Sequence, residues 1–493
     1  MEKIKQFLSV LLIAIVSLHI SQAQTSKLSI ENGPDMLSPH LGSINMPYIL
    51  LDTNNSTTLF KILVMGGRDY DFVSSSKAEI YDYETNSFSL LEMNYPHDFS
   101  SIVRLDNNNY LIAGGSANLG VHPGFSDAEI FNPVKNTFTP VASMIHKRMD
   151  FSMAKLKSNN VLIVGGWNET TSPTYPEIYK VDSNSYTQTV ALNTPRTYPI
   201  VLPTNDSGAV VIGGYHYLGS PYLEQVEYYD YKNNSFSILT ERPIDTEEGW
   251  LTKFNIYHCD MESLKMSNGK YLLLFYNEAV DSTEFCLISF DPETLKFEKI
   301  PLSTKIKVNH NEKWIFSIVL DKAQNIAYLP GCVSTTPMEL LIYSIDLNNG
   351  NVYQPDNSVA LETDIYPASS SYTLLPNNKI LMTGLSNKTG TKVNFGATNK
   401  TLLLSTSLIT SINNINKPNI QIINQSGNNN LTVLNSDHSI KNIIIVNTNG
   451  QLISNNSINF GYNNIDISFL PKGFYILKAE SFNNVVIKKF NKY

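Results

Sequence analysis

The feature that most constrains this chain is a double glycine that follows a run of strand-forming residues four times. It occurs as Ile62-Leu63-Val64-Met65-Gly66-Gly67, Leu111-Ile112-Ala113-Gly114-Gly115, Val161-Leu162-Ile163-Val164-Gly165-Gly166 and Val210-Val211-Ile212-Gly213-Gly214, with first glycines 48, 51 and 48 residues apart. A period near 50 residues means one supersecondary unit per repeat. Such a unit cannot bury its faces alone, so the units must stack into a propeller or a solenoid. Behind each glycine pair a second strand ends in Glu79-Ile80-Tyr81-Asp82, Glu129-Ile130-Phe131-Asn132, Glu177-Ile178-Tyr179 or Glu227-Tyr228-Tyr229-Asp230. Seven residues after the aromatic stands another, at Phe88, Phe138, Tyr186 and Phe236. An antiparallel pair joined by a tight Asn-containing turn sets these two rings across from each other.

This order of apolar strand, Gly-Gly, aromatic-Asp and a later aromatic, then Pro with Arg or His before the next strand, resembles the kelch repeat. Phe or Tyr stands where kelch repeats usually carry Trp. The pattern fades downstream: Leu272-Leu273-Leu274-Phe275-Tyr276 lacks the glycines, while Pro330-Gly331 and Thr383-Gly384 keep one each. Counting these gives seven units. The seventh shows strands near 369–375, 379–384 and 401–405 and no fourth, and Lys27-Leu28-Ser29-Ile30-Glu31 can supply it, which closes the ring and hides its edges. The expected fold is all-β: a seven-bladed kelch-like β-propeller over 24–405, a linker over 406–419, and a small C-terminal β-sandwich over 420–493.

Alternation in a four-stranded meander sends the loops between second and third strands to the same face as the loops between blades. The former are long and aromatic, and long loops on a rigid scaffold are the usual place for binding. His97, Arg148 and Arg196 each precede their unit's first glycine by 17 residues, so they take equivalent places in three successive units. Together with Arg68, Trp167, Tyr215 and His216, just after the glycine pairs, they form the expected ligand-binding set. Cationic donors beside aromatic platforms suit a glycan, or an acidic peptide of an extracellular or matrix protein. The competing reading is that Arg at this place is part of the kelch pattern and ties adjacent blades together.

Kelch-like propellers include galactose-oxidase-like copper enzymes and sialic-acid mutarotases, and a carbohydrate-acting enzyme of either kind is the alternative function. The nine His residues show no close ligand pair, and Cys259, Cys286 and Cys332 match no zinc spacing, so neither a metal nor any cofactor is expected. An acid-base pair drawn from Glu169, Glu247 and Glu248 is selected by nothing in the spacing, and no catalytic residue is assigned. The sequence leans toward a non-catalytic binding or adhesion protein acting as a monomer. With 36 Lys+Arg against 44 Asp+Glu there is no basic footprint for nucleic acid.

Both ends carry addresses. Lys3 and Lys5, the apolar run Phe7 to Ile20 and the exit Ser21-Gln22-Ala23 read as a signal peptide over 1–23. No later stretch is apolar enough to span a bilayer. After residue 405 the glycine period stops and Asn supplies 20 of the last 89 residues. Leu470-Pro471-Lys472-Gly473-Phe474-Tyr475 and the closing Lys488-Lys489 strand resemble the type A C-terminal sorting domain of the type IX secretion system. That resemblance implies recognition of 420–493 by the type IX machinery, and release from or display on the outer surface of a Gram-negative cell.

Overall fold

The computed structural model describes residues 25–52, 57–69, 71, 73–116, 124–168, 172–216, 223, 225–243, 251–252, 261–278, 282–309, 313–315, 317–333, 337–362, 365–367, 370–389, 394–406, 420–424, 430–435, 442–447, 452–458, 461–480 and 485–492. The signal-peptide reading of 1–23, and Cys259, Glu169, Glu247, Glu248 and residues 407–419, lie outside the described residues. The chain divides into two compact units, 1–406 and 407–493.

In the first unit, seven sheets of four or more strands follow one another among the described residues, with a further three-stranded sheet of Ile365–Tyr366, Ser386–Thr389 and Asn394–Ala397. The first runs Ile44–Asp52, Thr57–Met65, Lys77–Asp82, Ser87–Glu92. The second runs Ser101–Arg104, Tyr110–Ala113, Ala128–Asn132, Thr137–Pro140. The third and fourth repeat the order from Met149–Lys155 and Ile200–Pro203, and the fifth, sixth and seventh have inner strands Leu251–Thr252, Val319–Asp321 and Ser371–Leu374. Inner strands lie side by side between the second and third sheets, the third and fourth, the sixth and seventh, and the seventh and first. All-β sheets in this succession are consistent with a β-propeller.

Closure comes from the N-terminus. Leu28–Asn32 pairs antiparallel with Leu402–Thr406 as the outer strand of the seventh sheet, with Ile30 opposite Leu404. Thr25–Ser26 pairs in parallel with Asn351–Pro355 of the sixth sheet, so one segment bridges both outer edges. At the inner edge, Ser371 Oγ donates to the Ser43 carbonyl at 2.5 Å and Thr383 Oγ1 to Asn45 Oδ1 at 2.9 Å.

The local reasons are visible in the repeat. Tyr81 and Phe88 sit opposite each other, as do Phe131 and Phe138, Tyr179 and Tyr186, Tyr229 and Phe236. Their ring centroids are 5.2, 4.9, 4.9 and 4.8 Å apart. The turn between them needs a left-handed residue, and Asn86, Asn136, Asn184 and Asn234 provide it with φ between 46° and 53°. Tyr81, Tyr179 and Tyr229 each donate their hydroxyl to the side chain of that Asn. The first glycine of a pair is required by the neighbouring sheet: a Cβ on Gly165, whose φ is +76°, would meet the Arg196 carbonyl oxygen at 2.4 Å. The glycine pair is thus the groove into which the next inter-sheet loop lays its backbone.

In the second unit, Ile420–Asn424, Asn430–Asn435 and Gly461–Asp466 form one sheet, and Leu452–Ser457, Asn442–Asn447, Gly473–Glu480 and Val485–Lys492 form another. Leu431, Val433, Ile443, Ile445, Ile465, Leu477 and Phe490 make its core. Leu452–Ser457 is a strand although its polar run carries no apolar alternation. It forms because Asn442–Asn447 offers it a ladder.

Candidate functional site

Each loop entering one of the first four sheets turns a basic side chain inward onto the glutamate that opens the third strand. His97 Nδ1 donates to the Gly114 carbonyl at 2.8 Å, and its Nε2 lies 3.1 Å from Glu129 Oε1. Arg148 donates to the Gly165 carbonyl at 2.7 Å and to Glu177 Oε1 at 2.9 Å. Arg196 donates to the Gly213 carbonyl at 3.1 Å and to Glu227 Oε1 at 2.5 Å. His40 repeats the arrangement with Gly66 and Glu79. The same carboxylates also accept loop amides: Leu37 and Ser38 on Glu79, Asn94 on Glu129, Ile145 and His146 on Glu177, Asn193 and Thr194 on Glu227.

The four glutamates of these ties are fully buried. Burial disfavours the charge on Glu79 and Glu129, but their hydrogen bonds outweigh it and hold both below the ordinary carboxyl value. Burial pulls Arg148 and Arg196 down, while Glu177 and Glu227 oppose the shift. His97, Arg148 and Arg196 do take equivalent places, as their common offset implies. At 1%, 0% and 0% exposure, they lie behind the surface rather than on it.

The surface in front of them is made by the residues that follow. Phe99, Asp150 and Tyr198 stand two positions after His97, Arg148 and Arg196, each with φ near +55°. Non-glycine residues held there carry strain of about 1–3 kcal/mol each and persist only where the surroundings enforce them. Here a backbone chain does so: the Asp150 amide donates to the Phe99 carbonyl at 3.1 Å, and the Tyr198 amide to the Asp150 carbonyl at 2.8 Å. Along this rim Arg68 Nε donates to Asp98 Oδ2 at 2.5 Å, and its guanidinium lies 4.6 Å from the centre of the Phe99 ring. Tyr198 hydrogen-bonds Asp150 and meets Tyr215 edge-on at 6.3 Å.

Electrostatically this rim differs from the ties. Burial pushes Asp98 up to about 6, with Arg68 pulling the other way. Burial pushes Asp150 up to about 7 against the hydrogen bond from Tyr198; the neighbouring Asp98 adds to the rise and Arg68 reduces it. Both carboxyls therefore change charge near neutral pH. Beneath the rim lies a cavity of about 550 Å³ between the inner strands, lined by Arg68, Asp98 and Phe99 at this end. Arg104 and Lys322 also line it.

Of the expected set, Arg68 is on the rim, Tyr215 reaches it through Tyr198, Trp167 is half-buried at the end of its strand and His216 is exposed. Asp98, Asp150 and Tyr198 were not singled out from the sequence. Their signal is the same fixed offset that picked out His97, Arg148 and Arg196, read one or two residues further on. Cys286 and Cys332 are buried, and burial pushes the Cys332 thiol up to about 12. Among the described residues no three His, Cys, Asp or Glu side chains are grouped as a metal ion requires.

In the second unit Leu470 and Tyr475 are buried, Pro471, Lys472 and Phe474 are exposed, and Gly473 is intermediate. Tyr475 donates its hydroxyl to the Pro471 carbonyl at 2.8 Å and stacks on Phe490, so the Leu-Pro-Lys-Gly-Phe-Tyr segment is a tied turn that presents Phe474 outward. The side chains of Lys488 and Lys489 lie outside the described residues.

Residues 426–492 match the family described as Secretion system C-terminal sorting domain. No curated protein matches the chain. Among solved structures the chain is similar to one described as a novel fungal alcohol oxidase with catalytic diversity among the AA5 family, in complex with copper. The TM-score is 0.53 and the identity 12%, over 95% of this chain and 99% of that one. At that identity the likeness is one of fold. The copper belongs to that protein: of the imidazoles here, His40 and His97 are already committed to buried carboxylates and glycine carbonyls. The tail marks the chain for type IX secretion, to the cell surface or the extracellular space, and no helix among the described residues is long and apolar enough to cross a membrane.

Proposed function

We propose that the protein is an exported binding or adhesion protein, a seven-bladed kelch-like propeller that contacts glycans or extracellular matrix through the face bearing Arg68, Trp167, Tyr215 and His216. The observation that carries this reading is the continuous rim Arg68, Asp98, Asp150, Tyr198, Tyr215. It joins one cation, two carboxyls and two phenols in a chain of contacts, and its Arg68 and Asp98 line a cavity of small-molecule size. Hydroxyl-rich ligands are held by such planar, bidentate groups, and aromatic rings supply the apolar platform. His97, Arg148 and Arg196 support the rim from behind in this reading. Screening the exported chain on a glycan array tests it. Binding that falls about tenfold in Tyr215→Ala or His216→Ala supports the face; binding to no glycan at all overturns it.

One observation favours a second reading, a sugar-acting enzyme of the mutarotase kind. Asp98 and Asp150 titrate near neutrality, where a general acid and a general base work best. Faster anomer interconversion of a free sugar by the wild type, lost in Asp150→Asn, would select it.

A further inference from the structure

The rim contains a charge that the protein itself leaves incompletely used. Arg68 is 9% exposed, yet among the described residues its only hydrogen-bond acceptor is Asp98, reached through Nε. Its Nη2 is buried without a partner. Compare Arg148, whose Nε, Nη1 and Nη2 donate to Glu177, the Gly165 carbonyl and the Tyr175 carbonyl. A buried guanidinium nitrogen without an acceptor costs about 1–3 kcal/mol or more, and native proteins keep few such groups. This one belongs to a residue lining the 550 Å³ cavity, whose other charged lining residues are Asp98, Arg104 and Lys322. Arg104 donates to Asn108 Oδ1 and Lys322 to the Glu262 carbonyl, so it is Arg68 whose guanidinium keeps an unmade hydrogen bond beside the cavity. A guanidinium fork matches a carboxylate in shape as well as charge.

We propose that Arg68 is a carboxylate-recognition residue and that the ligand at this mouth is an acidic saccharide, bearing a uronate-type carboxyl group, rather than a neutral one. This inference rests on the glycan reading above and sharpens it. The carboxyl of the ligand takes the terminal nitrogens of Arg68, its ring lies toward Phe99, and its hydroxyls face Asp98, the three residues that line this end of the cavity.

The two aspartates then set a pH dependence. The groups facing them are Arg68 and Asp150 for Asp98, and Tyr198, Asp98 and Arg68 for Asp150; His97 is turned away onto Glu129. When both carboxyls are protonated they donate hydrogen bonds and Arg68 stands unopposed. When both are ionised they repel an anionic guest. Recognition therefore tightens as pH falls from 8 toward 5.5, while the ligand itself, with an ordinary carboxyl, remains charged.

Titration calorimetry of the exported chain with trigalacturonate, and with neutral galactose oligomers of the same length as control, tests this. Expected are preference for the acidic oligomer, about tenfold tighter binding at pH 5.5 than at pH 8, and about ten- to a hundredfold weaker binding in Arg68→Lys, which keeps the charge but loses the fork. Arg68→Lys could instead disturb Asp98 and the fold, so Asp150→Asn serves as the second variant. It removes a poorly solvated charge and is expected to fold, bind the acidic oligomer, and show a flattened pH profile. Equal affinity for acidic and neutral oligomers overturns the inference and leaves the glycan reading standing. Binding to neither, with no hit on the array, overturns both.

Discussion

The first four sheets and the three that follow share one architecture but are held by different chemistry. In sheets one to four, a buried His or Arg meets a buried Glu at the start of the third strand, and a glycine pair admits the neighbouring loop. In the fifth sheet the register puts Phe290 where Tyr81 stands in the first, so Ile288 takes the place of Glu79, and Phe275 and Tyr276 the place of the glycines. In the sixth, Tyr343 replaces the glutamate. No buried basic–acidic tie replaces it there among the described residues. Instead one continuous apolar cluster runs from Ile200 and Leu202 through Leu273, Phe285 and Ile288 to Leu329 and Ile345. Polar ties fix loops at defined positions, which a rim of precisely placed side chains needs; apolar packing fills volume without specifying a loop. The rim occurs on the tied half.

This contrast can be broken from either side. The largest effect is expected from Glu177→Ala, which leaves the buried Arg148 guanidinium without its counter-charge and should cost about 3–5 kcal/mol in urea unfolding. The conservative Arg148→Met/Glu177→Leu double substitution should recover much of it, since an apolar pair of similar size replaces a buried ion pair at little cost. If the double variant is no better than the single, the tie is not the source of the loss. On the apolar half, Leu273→Ala should cost about 2–5 kcal/mol through cavity formation, with no change in ligand binding at the rim.

A smaller loss, about 2–3 kcal/mol, is expected for Gly165→Ala, where the Arg196 carbonyl and a left-handed φ both oppose a Cβ. Gly269→Ala in the fifth sheet has nothing within 4 Å of the added Cβ and should show only the conformational part, about 1–2 kcal/mol. The smallest and most diagnostic effect is in pH. Asp98 and Asp150 have folded values raised above an ordinary carboxyl, so the stability they contribute is present below pH 4 and is lost as pH rises through about 6 and about 7. Glu79 and Glu129 are lowered, so their contribution is present above their ordinary value and lost as pH falls toward acid. Asp150→Asn should therefore raise the melting temperature at pH 8 and leave it unchanged at pH 4; an equal effect at both would show that Asp150 is not desolvated.

Much of the first unit was legible in the residues. Glycine pairs, opposed aromatics and turn asparagines are local signals, because φ near +50° and a seven-residue hairpin offset are properties of short segments. Leu28–Asn32 as the closing strand followed from counting strands. The sheets after the fourth were harder to read, since Phe275 and Tyr276 pack by volume and leave no fixed residue type behind. The site was half legible: equal spacing showed that His97, Arg148 and Arg196 were equivalent, but a spacing carries no information on whether a side chain points out or in.

The sequence by itself determined a repeated strand unit with its turns, and an export label at the C-terminus, through period, turn chemistry and short motifs. Only the tertiary structure decided which charges are spent inside and which face a cavity. That choice depends on the glutamate, the glycine carbonyl and the next loop converging on one point from three distant stretches of chain. Arg148 finds all three and disappears into the wall, whereas Arg68, one strand end away from such a set, keeps part of its guanidinium for something else.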